Sequence, residues 1–321
     1  SLAEVQAKTE AVLLANKTSA ANAKSVATAL VSAQADGLTT HGLLRLATYA
    51  AQANCGKVDG LAISTVHQTA PSALVVDAAN GFAYPAIDLA ISALVPIATT
   101  QGIAAASITR SGHCGAMGLA VERIAERGLI GIMFANAPAA MAVWGGQTAL
   151  LGTNPIASAF PRPGNPPVII DLSLSKVARG NVVAAAQNGE EIPDDWALDV
   201  DGNPTTDAKA ALAGTMLPVG GAKGAALALM VEALAAGLTG SHFAFEASSF
   251  LDAKGPPPGT GQFILALSPS LFGPGISYIE RLFSVVAAEN GTRLPGERRL
   301  ANRQKAAREG LDVPDSWFAT A

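Results

Sequence analysis

The segment Thr39-Thr40-His41-Gly42-Leu43-Leu44-Arg45 joins two chemistries at short range. A histidine can move a proton near neutral pH, and an arginine is a fixed cation shaped for a carboxylate. If the backbone is helical there, His41 and Arg45 share one face, one turn apart. A small anionic substrate is then the natural ligand. The same spacing also fits a capped helix start with a surface arginine. The chain has three other histidines: His67, His113 and His242. His113 lies in Ser111-Gly112-His113-Cys114-Gly115, just after an apolar strand candidate at 103–108. Strand ends of α/β sheets are common ligand sites, and flanking glycines let a ligand approach the backbone. His67 and His242 read as structural.

Two further segments could hold phosphate. Asp171-Leu172-Ser173-Leu174-Ser175 follows a strand candidate at 168–172 and offers hydroxyls and amides at a turn. Gly220-Gly221-Ala222-Lys223-Gly224 sets a lysine in a glycine-rich entry to a helix, where amides and an ammonium favour an anion. Each also fits a plain turn. A dinucleotide usually announces itself through GxGxxG, and Gly112, Gly115 and Gly118 have a different spacing, so the standard Rossmann arrangement is disfavoured. The chain has no Walker spacing, no GxSxG and no HExxH, and no set of metal ligands stands out.

The elements needed to position these residues are legible. Residues 2–35 read as two helices, with Ser19 capping the second and Gly37 ending it. Helices are expected at 84–100, 119–127, 276–290 and 295–309, and strands at 72–77, 103–108, 130–136, 168–172 and 263–267. The alternation argues for an α/β domain. A polar excursion spans 188–207, and a proline-rich loop spans 255–261. Residues 225–238 form the most apolar long run; with Glu232 inside it and Lys223 before it, the run reads as a buried core helix.

Half of the 321 residues are hydrophobic and 14% are charged, a balance that favours extensive burial and a subunit interface. The net charge of -4 without a basic block argues against nucleic acid. Cys55 and Cys114 form no CxxC pair, which suits a reducing, cytoplasmic setting. Glu4, Lys8 and Glu10 lie on a helical pattern, unlike a signal peptide.

In order along the chain, these segments resemble the type 2 malate/L-lactate dehydrogenase family, which includes sulfolactate, ureidoglycolate and diketogulonate oxidoreductases. The resemblance runs from about residue 3 to 305. It rests on Asp36-Gly37 with Thr40-His41-Gly42-Leu43-Leu44-Arg45, on Ser111 to Gly115, on Gly152-Thr153-Asn154-Pro155, and on Asp171 to Ser175 with Val177-Ala178-Arg179-Gly180. Gly220 to Gly224 and Pro295-Gly296-Glu297-Arg298 complete it. Leu217 to Glu246 and Asp199 to Thr205 look closest to the Δ1-piperideine-2-carboxylate and Δ1-pyrroline-2-carboxylate reductase branch.

The resemblance implies a non-Rossmann dinucleotide-binding α/β fold of the sulfolactate dehydrogenase-like type, with a mixed sheet and flanking helices. It implies a homodimer with no membrane or nucleic-acid partner. Residues 1–110 with 275–321 would form a helical, substrate and dimerisation region, and 111–274 the NAD(P)-binding region. The implied activity is NADPH-dependent reduction of a cyclic α-imino acid to L-pipecolate or L-proline, in proline metabolism or lysine degradation, with NADH as the alternative cofactor. A 2-hydroxy-acid dehydrogenase and a non-catalytic dinucleotide-binding protein are the competing readings. Arg45 would hold the substrate carboxylate. His41 would handle the proton, Thr40 would orient it, and His113 is the rival acid. Asp171, Leu172, Ser173, Leu174, Ser175, Lys223 and Gly224 would hold the dinucleotide, and Arg179 or Gly296-Glu297-Arg298 its adenosine end. The family's serine is Thr40 here, whose methyl could crowd the pocket. The family's threonine is Leu174, which removes a hydroxyl.

Overall fold

The computed structural model describes residues 1–318. The dimerisation region expected to end at 321 therefore has its last three residues, 319–321, outside the described residues. The chain opens with helices α1 (Leu2–Ala15) and α2 (Ala20–Ala35). Ser1 caps the first with a capping box, and Ser19 accepts from the Asn22 amide at the second. Helix α3 (Leu46–Cys55) follows and ends on Gly56 in the left-handed region. Val26, Leu30, Leu43, Leu46 and Tyr49 bury against one another and make this helical layer one apolar cluster.

Strands β1 (Thr65–Ala70) and β2 (Ala73–Asp77) form a hairpin, helix α4 (Ala83–Gln101) crosses over, and β3 (Ile103–Ser111) returns parallel to β2. Helix α4 is the one described helix long and apolar enough to cross a membrane, yet Ala86, Ala90, Ile91 and Leu94 on it are buried against the sheet. Helix α5 (Gly118–Ala125) and strand β4 (Ile130–Ala135) come next. Short strands β5 (Met141–Ala142) and β6 (Ala149–Leu151) precede the hairpin of β7 (Ile156–Arg162) and β8 (Asn165–Leu172). Helix α6 (Arg179–Asn188), strand β9 (Ala197–Leu198), helix α7 (Ala208–Ala213) and strand β10 (Thr215–Met216) occupy the polar middle. Helix α8 (Ala222–Glu232) runs on into a π turn over Ala233–Gly237. Strand β11 (Thr260–Leu267) and helices α9 (Ile276–Ala288) and α10 (Glu297–Glu309) complete the fold.

A seven-stranded sheet runs β1-β2-β3-β11-β4-β7-β8, and a four-stranded one runs β6-β5-β10-β9. In the large sheet only β2 and β3 pair in parallel, so it is mixed as expected. Strand β11 inserts between β3 and β4, so this sheet spans both of the regions expected from sequence.

Two expectations are corrected. Residues 39–45 are two short 3-10 turns, Thr39–His41 and Leu43–Arg45, parted by Gly42 at φ -96° and ψ -140°, outside the helical region. Gly42 is pressed against α2, where a Cβ would lie 2.6 Å from the Gln34 side-chain oxygen and 3.0 Å from the Gln34 backbone nitrogen. That close approach breaks the helix. The run at 225–238 is not wholly buried: Leu227, Leu229, Met230 and Leu238 are exposed. Being apolar all round, the helix has no polar stripe to mark its outer face. Strands β1 and β7, the short strands β5, β6, β9 and β10, and helices α3, α6 and α7 went unanticipated; alanine-rich, short or mixed segments carry little periodicity.

Candidate active site

The two histidines singled out by sequence come together. His41 on the first 3-10 turn and His113 on the loop after β3 stack with ring centroids 5.8 Å apart. Thr40 Oγ1 lies 3.2 Å from His41 Nδ1, as expected for a group that orients the ring. A Cβ on Gly180 would lie 3.2 Å from the Thr40 methyl, so the methyl packs against that glycine rather than crowding the pocket. Arg45 stays beside the histidines despite the broken helix, because its Nε donates to the Thr40 carbonyl at 2.7 Å. Among the described residues, Arg45 forms no ion pair with a carboxylate, so its charge is available to an anion.

Burial shapes the electrostatics. Desolvation, with the Arg45 charge adding to it, lowers the His41 pKa from 6.5 to about 4. His113 is lowered well below 6.5 by burial first, then by Arg45 and His41. Both imidazoles are therefore neutral at neutral pH. Three aromatic residues missed by sequence reasoning complete the wall. Tyr49 Oη lies 2.7 Å from His113 Nδ1 and 3.1 Å from Tyr84 Oη. Phe250 packs on the His113 ring with centroids 4.9 Å apart. The loop carrying Phe250 is tied to α3 and the chain after it. Gln52 donates to the Phe250 and Asp252 carbonyls. The fully buried Lys57 ammonium donates to the carbonyls of Ser249, Asp252 and Lys254. The one sequence signal for Tyr49 is its place four residues after Arg45, on the next helical turn.

The two phosphate-loop candidates are neighbours. The Val219 amide donates to the Leu174 carbonyl at 2.8 Å, and the Lys176 amide donates to the Leu217 carbonyl at 2.7 Å. Exposed Lys223 sits in the first turn of α8, where the opening amides have no intrahelical partner. Gly224 lets that turn close, since a Cβ there would collide with the Val219 carbonyl oxygen. Leu172 is exposed and Ser173 half-buried. These groups fit a phosphate-bearing cofactor.

Several sequence candidates have structural employment instead. The Asp171 carboxylate accepts the Gly118 amide at 2.7 Å and so caps α5. Leu174 is 1% exposed in the core of the smaller sheet, and its amide donates to the Thr153 carbonyl, so its side chain cannot meet a cofactor. The Ser175 hydroxyl donates to the Val177 carbonyl. Gly296 lies against Ile169 of β8; Glu297 and Arg298 are exposed and make no hydrogen bond to either phosphate loop. The neighbouring Arg299 and Arg303 grip the buried Asp36 carboxylate and tie α10 to α2. Arg179 lies beside Thr40 through Gly180 and donates to the Ala139 carbonyl at 3.3 Å, with no carboxylate partner among the described residues. Asn154, in Gly-Thr-Asn-Pro, donates to buried Glu232, whose other oxygen accepts from Asn136 and the Ala244 amide. His67 is exposed on β1, and His242 Nδ1 lies 3.0 Å from the Pro258 carbonyl oxygen.

A cavity of about 590 Å³ lies elsewhere, between α2 and α5; it holds neither histidine but shares Tyr84 and Cys114 with the site's rear wall.

The chain has relatives in both sequence and fold. The family model described as malate/L-lactate dehydrogenase matches residues 1–320. A (2R)-3-sulfolactate dehydrogenase (NADP(+)) of Chromohalobacter salexigens is 51% identical over 92% of this chain and 88% of its own. A Δ1-pyrroline-2-carboxylate reductase of Ancylobacter novellus is 38% identical over 99% and 95%. The crystal structure of Δ1-piperideine-2-carboxylate reductase from Pseudomonas syringae pvar. tomato superposes with a TM-score of 0.94 at 35% identity, covering 99% of this chain and 97% of that one. The reductase branch singled out from sequence is thus a relative, but the sulfolactate enzyme shares more residues. The chain belongs to the malate/L-lactate dehydrogenase family of oxidoreductases.

Proposed function

We propose that the protein transfers hydride between NADP(H) and C2 of a small 2-substituted carboxylate, with 3-sulfolactate and 3-sulfopyruvate as its substrate pair. The observation that carries this reading is Arg45, a guanidinium with no carboxylate partner among the described residues, set beside two neutral imidazoles. The named activity of the 51% identical relative supports the choice of substrate. So does Arg179, a second guanidinium without a carboxylate partner, adjoining Thr40 through Gly180. A substrate carrying a carboxylate and a sulfonate presents one anion to each. Arg179 then serves the substrate rather than the adenosine end of the cofactor.

Bound NADPH supplies the hydride. Arg45 holds the carboxylate and fixes C2 in place. His113 or His41 passes a proton to the oxygen that becomes the hydroxyl. Lys223, the first amides of α8 and Ser173 hold the dinucleotide phosphates. The chain thus divides into a substrate part around α2 and α3 and a cofactor part around residues 171–175 and 220–224. The exposed Leu227, Leu229, Met230 and Leu238 belong to a homodimer interface in this reading.

Reduction of Δ1-pyrroline-2-carboxylate or Δ1-piperideine-2-carboxylate is the second reading, favoured by the 0.94 TM-score structure. It needs only one anion anchor and leaves Arg179 to the cofactor. NADPH oxidation with sulfopyruvate, pyruvate and both imino acids separates the two. Sulfopyruvate at least about tenfold ahead in kcat/KM is the expected result. A cyclic imino acid ahead establishes the second reading, and no turnover on any of them overturns both. Arg179→Met raises KM for sulfopyruvate and not for NADPH; the reverse assigns Arg179 to the cofactor. Sedimentation of the free protein as a monomer would refute the dimer.

A further inference from the structure

We propose that His113, Tyr49 and Tyr84 form a proton relay joining the substrate site to the cavity between α2 and α5. The proposal rests on reading His113 as the proton donor at the C2 heteroatom.

The connection is continuous. His113 Nδ1 to Tyr49 Oη is 2.7 Å, and Tyr49 Oη to Tyr84 Oη is 3.1 Å. Tyr84 stands in the cavity wall with Cys114 and Ala116, the residues on either side of Gly115. Gly115 has φ +64°, and a Cβ there would meet the Tyr84 hydroxyl. A side chain at 115 would displace that hydroxyl from the row, and the positive φ favours glycine in any case. The cavity holds about 590 Å³ and is bordered by Lys24 and Glu126, both exposed, so its rim meets solvent. The tyrosines are enclosed, at 2% and 8% exposure. Tyr49 therefore has its hydroxyl shared between His113 and Tyr84.

The chemistry requires such a path. His113 is confined by Phe250 and His41, and the charged or titratable groups that act on it are Arg45 and His41, both of which disfavour a second positive charge. A neutral imidazole gives up the proton on Nε2 only if another reaches Nδ1. As hydride arrives at C2 of the substrate, the Nε2 proton passes to the substrate oxygen. The Tyr49 hydroxyl proton passes to Nδ1, the Tyr84 proton to Tyr49 Oη, and a proton from solvent in the cavity to Tyr84 Oη. The hydroxide left behind is neutralised by bulk buffer. One hydride and one proton are consumed, and every protein group ends with the number of protons it began with, but His113 is left as the Nδ1–H tautomer. Once product leaves, water at the opened front protonates Nε2. The Nδ1 proton then returns to Tyr49, that of Tyr49 to Tyr84 and that of Tyr84 to cavity solvent, which restores the resting tautomer. A tyrosine hydroxyl both donates and accepts, so neither tyrosine must carry a charge at rest. Solvent reaches the proton donor from behind while substrate and cofactor cover its front.

Two measurements test the relay. Nitrogen-15 spectra of histidine-labelled protein, which has four histidines, read the resting tautomer without any turnover. The relay requires His113 with a proton on Nε2 and a bare Nδ1 accepting from Tyr49; a protonated Nδ1 at neutral pH overturns it. The second measurement is kinetic. Tyr84→Phe keeps the ring and the Tyr49–His113 contact and removes the outlet. It lowers kcat for reduction by about ten- to a hundredfold. Both KM values stay within twofold. The rate in H2O/D2O mixtures changes from a curved, several-proton dependence to a linear one. A merely structural Tyr84 would leave that dependence untouched, and an unchanged kcat and unchanged curvature overturn the relay. Wild-type protein inactive on every proposed substrate refutes the functional reading, and the resting tautomer still decides whether the relay is in place.

Discussion

Acid should weaken this fold through His41, and the amount follows from its surroundings. The ring is half-buried beside Thr40 and His113, and burial together with the Arg45 charge lowers its pKa from 6.5 to about 4. A base with a lowered folded pKa binds its proton more tightly when unfolded. Its contribution is therefore fully present above about pH 6.5 and is lost as pH falls towards 4, below which no more is lost. At about 1.36 kcal/mol per pH unit that interval bounds the loss near 3 kcal/mol. Partial exposure of the ring reduces the expectation to about 2 kcal/mol. Urea unfolding of wild-type and His41→Gln protein at one fixed concentration, from pH 7.5 to 4, reads the effect, because glutamine does not titrate and groups not coupled to His41 cancel. Of the three causes acting on His113, the one removed is the smallest. Wild type is expected to lose about 2 kcal/mol more than the variant across that range. A difference constant to within about 0.5 kcal/mol, or a wild type that gains on acidification, refutes the reasoning. An anion seated on Arg45 cancels the second cause, so oxalate should raise the His41 titration midpoint in an NMR titration.

Arg45→Met removes a charge-assisted contact of about 1.5–3 kcal/mol and is expected to raise the substrate KM about 10- to 100-fold with little change in kcat, as read from Michaelis curves. Thr40→Ser deletes only the methyl packed on Gly180; it should cost about 0.8 kcal/mol in urea unfolding and keep kcat within about twofold. Lys57→Met removes the ammonium that donates to the Ser249 and Lys254 carbonyls, while the Asp252 carbonyl keeps Gln52; it should cost about 3 kcal/mol and loosen the 249–254 loop in hydrogen exchange.

What could be read from sequence had a local cause. A cap at Ser19 and a glycine at Gly37 marked the ends of α2, and the apolar run at 103–108 announced the strand that delivers His113. His41, Arg45 and His113 were visible because few other residue types do their chemistry. Their meeting was not, since it depends on a turn that breaks at Gly42 and on α3, which carries no clear periodicity. Tyr49, Tyr84 and Phe250 escaped notice because an aromatic reads as core until its partner is known. Tyr49 and Tyr84 are buried as core residues are, and only the 2.7 Å and 3.1 Å contacts give them another role. Asp171 and Leu174 show the reverse case. Their motif was evident, but one carboxylate caps α5 and the other side chain fills the core of the smaller sheet. The doubt about Thr40 needed a single three-dimensional fact, the position of Gly180.

A crystal structure with NADP+ and a planar mimic of the substrate, such as oxalate or pyrrole-2-carboxylate, tests the central claim most directly. The account predicts the mimic's carboxylate on the Arg45 guanidinium, its C2 between the nicotinamide and the paired imidazoles, and the cofactor phosphates at Lys223 and the start of α8. A mimic bound away from Arg45, or a dinucleotide lying in the cavity between α2 and α5, would contradict it.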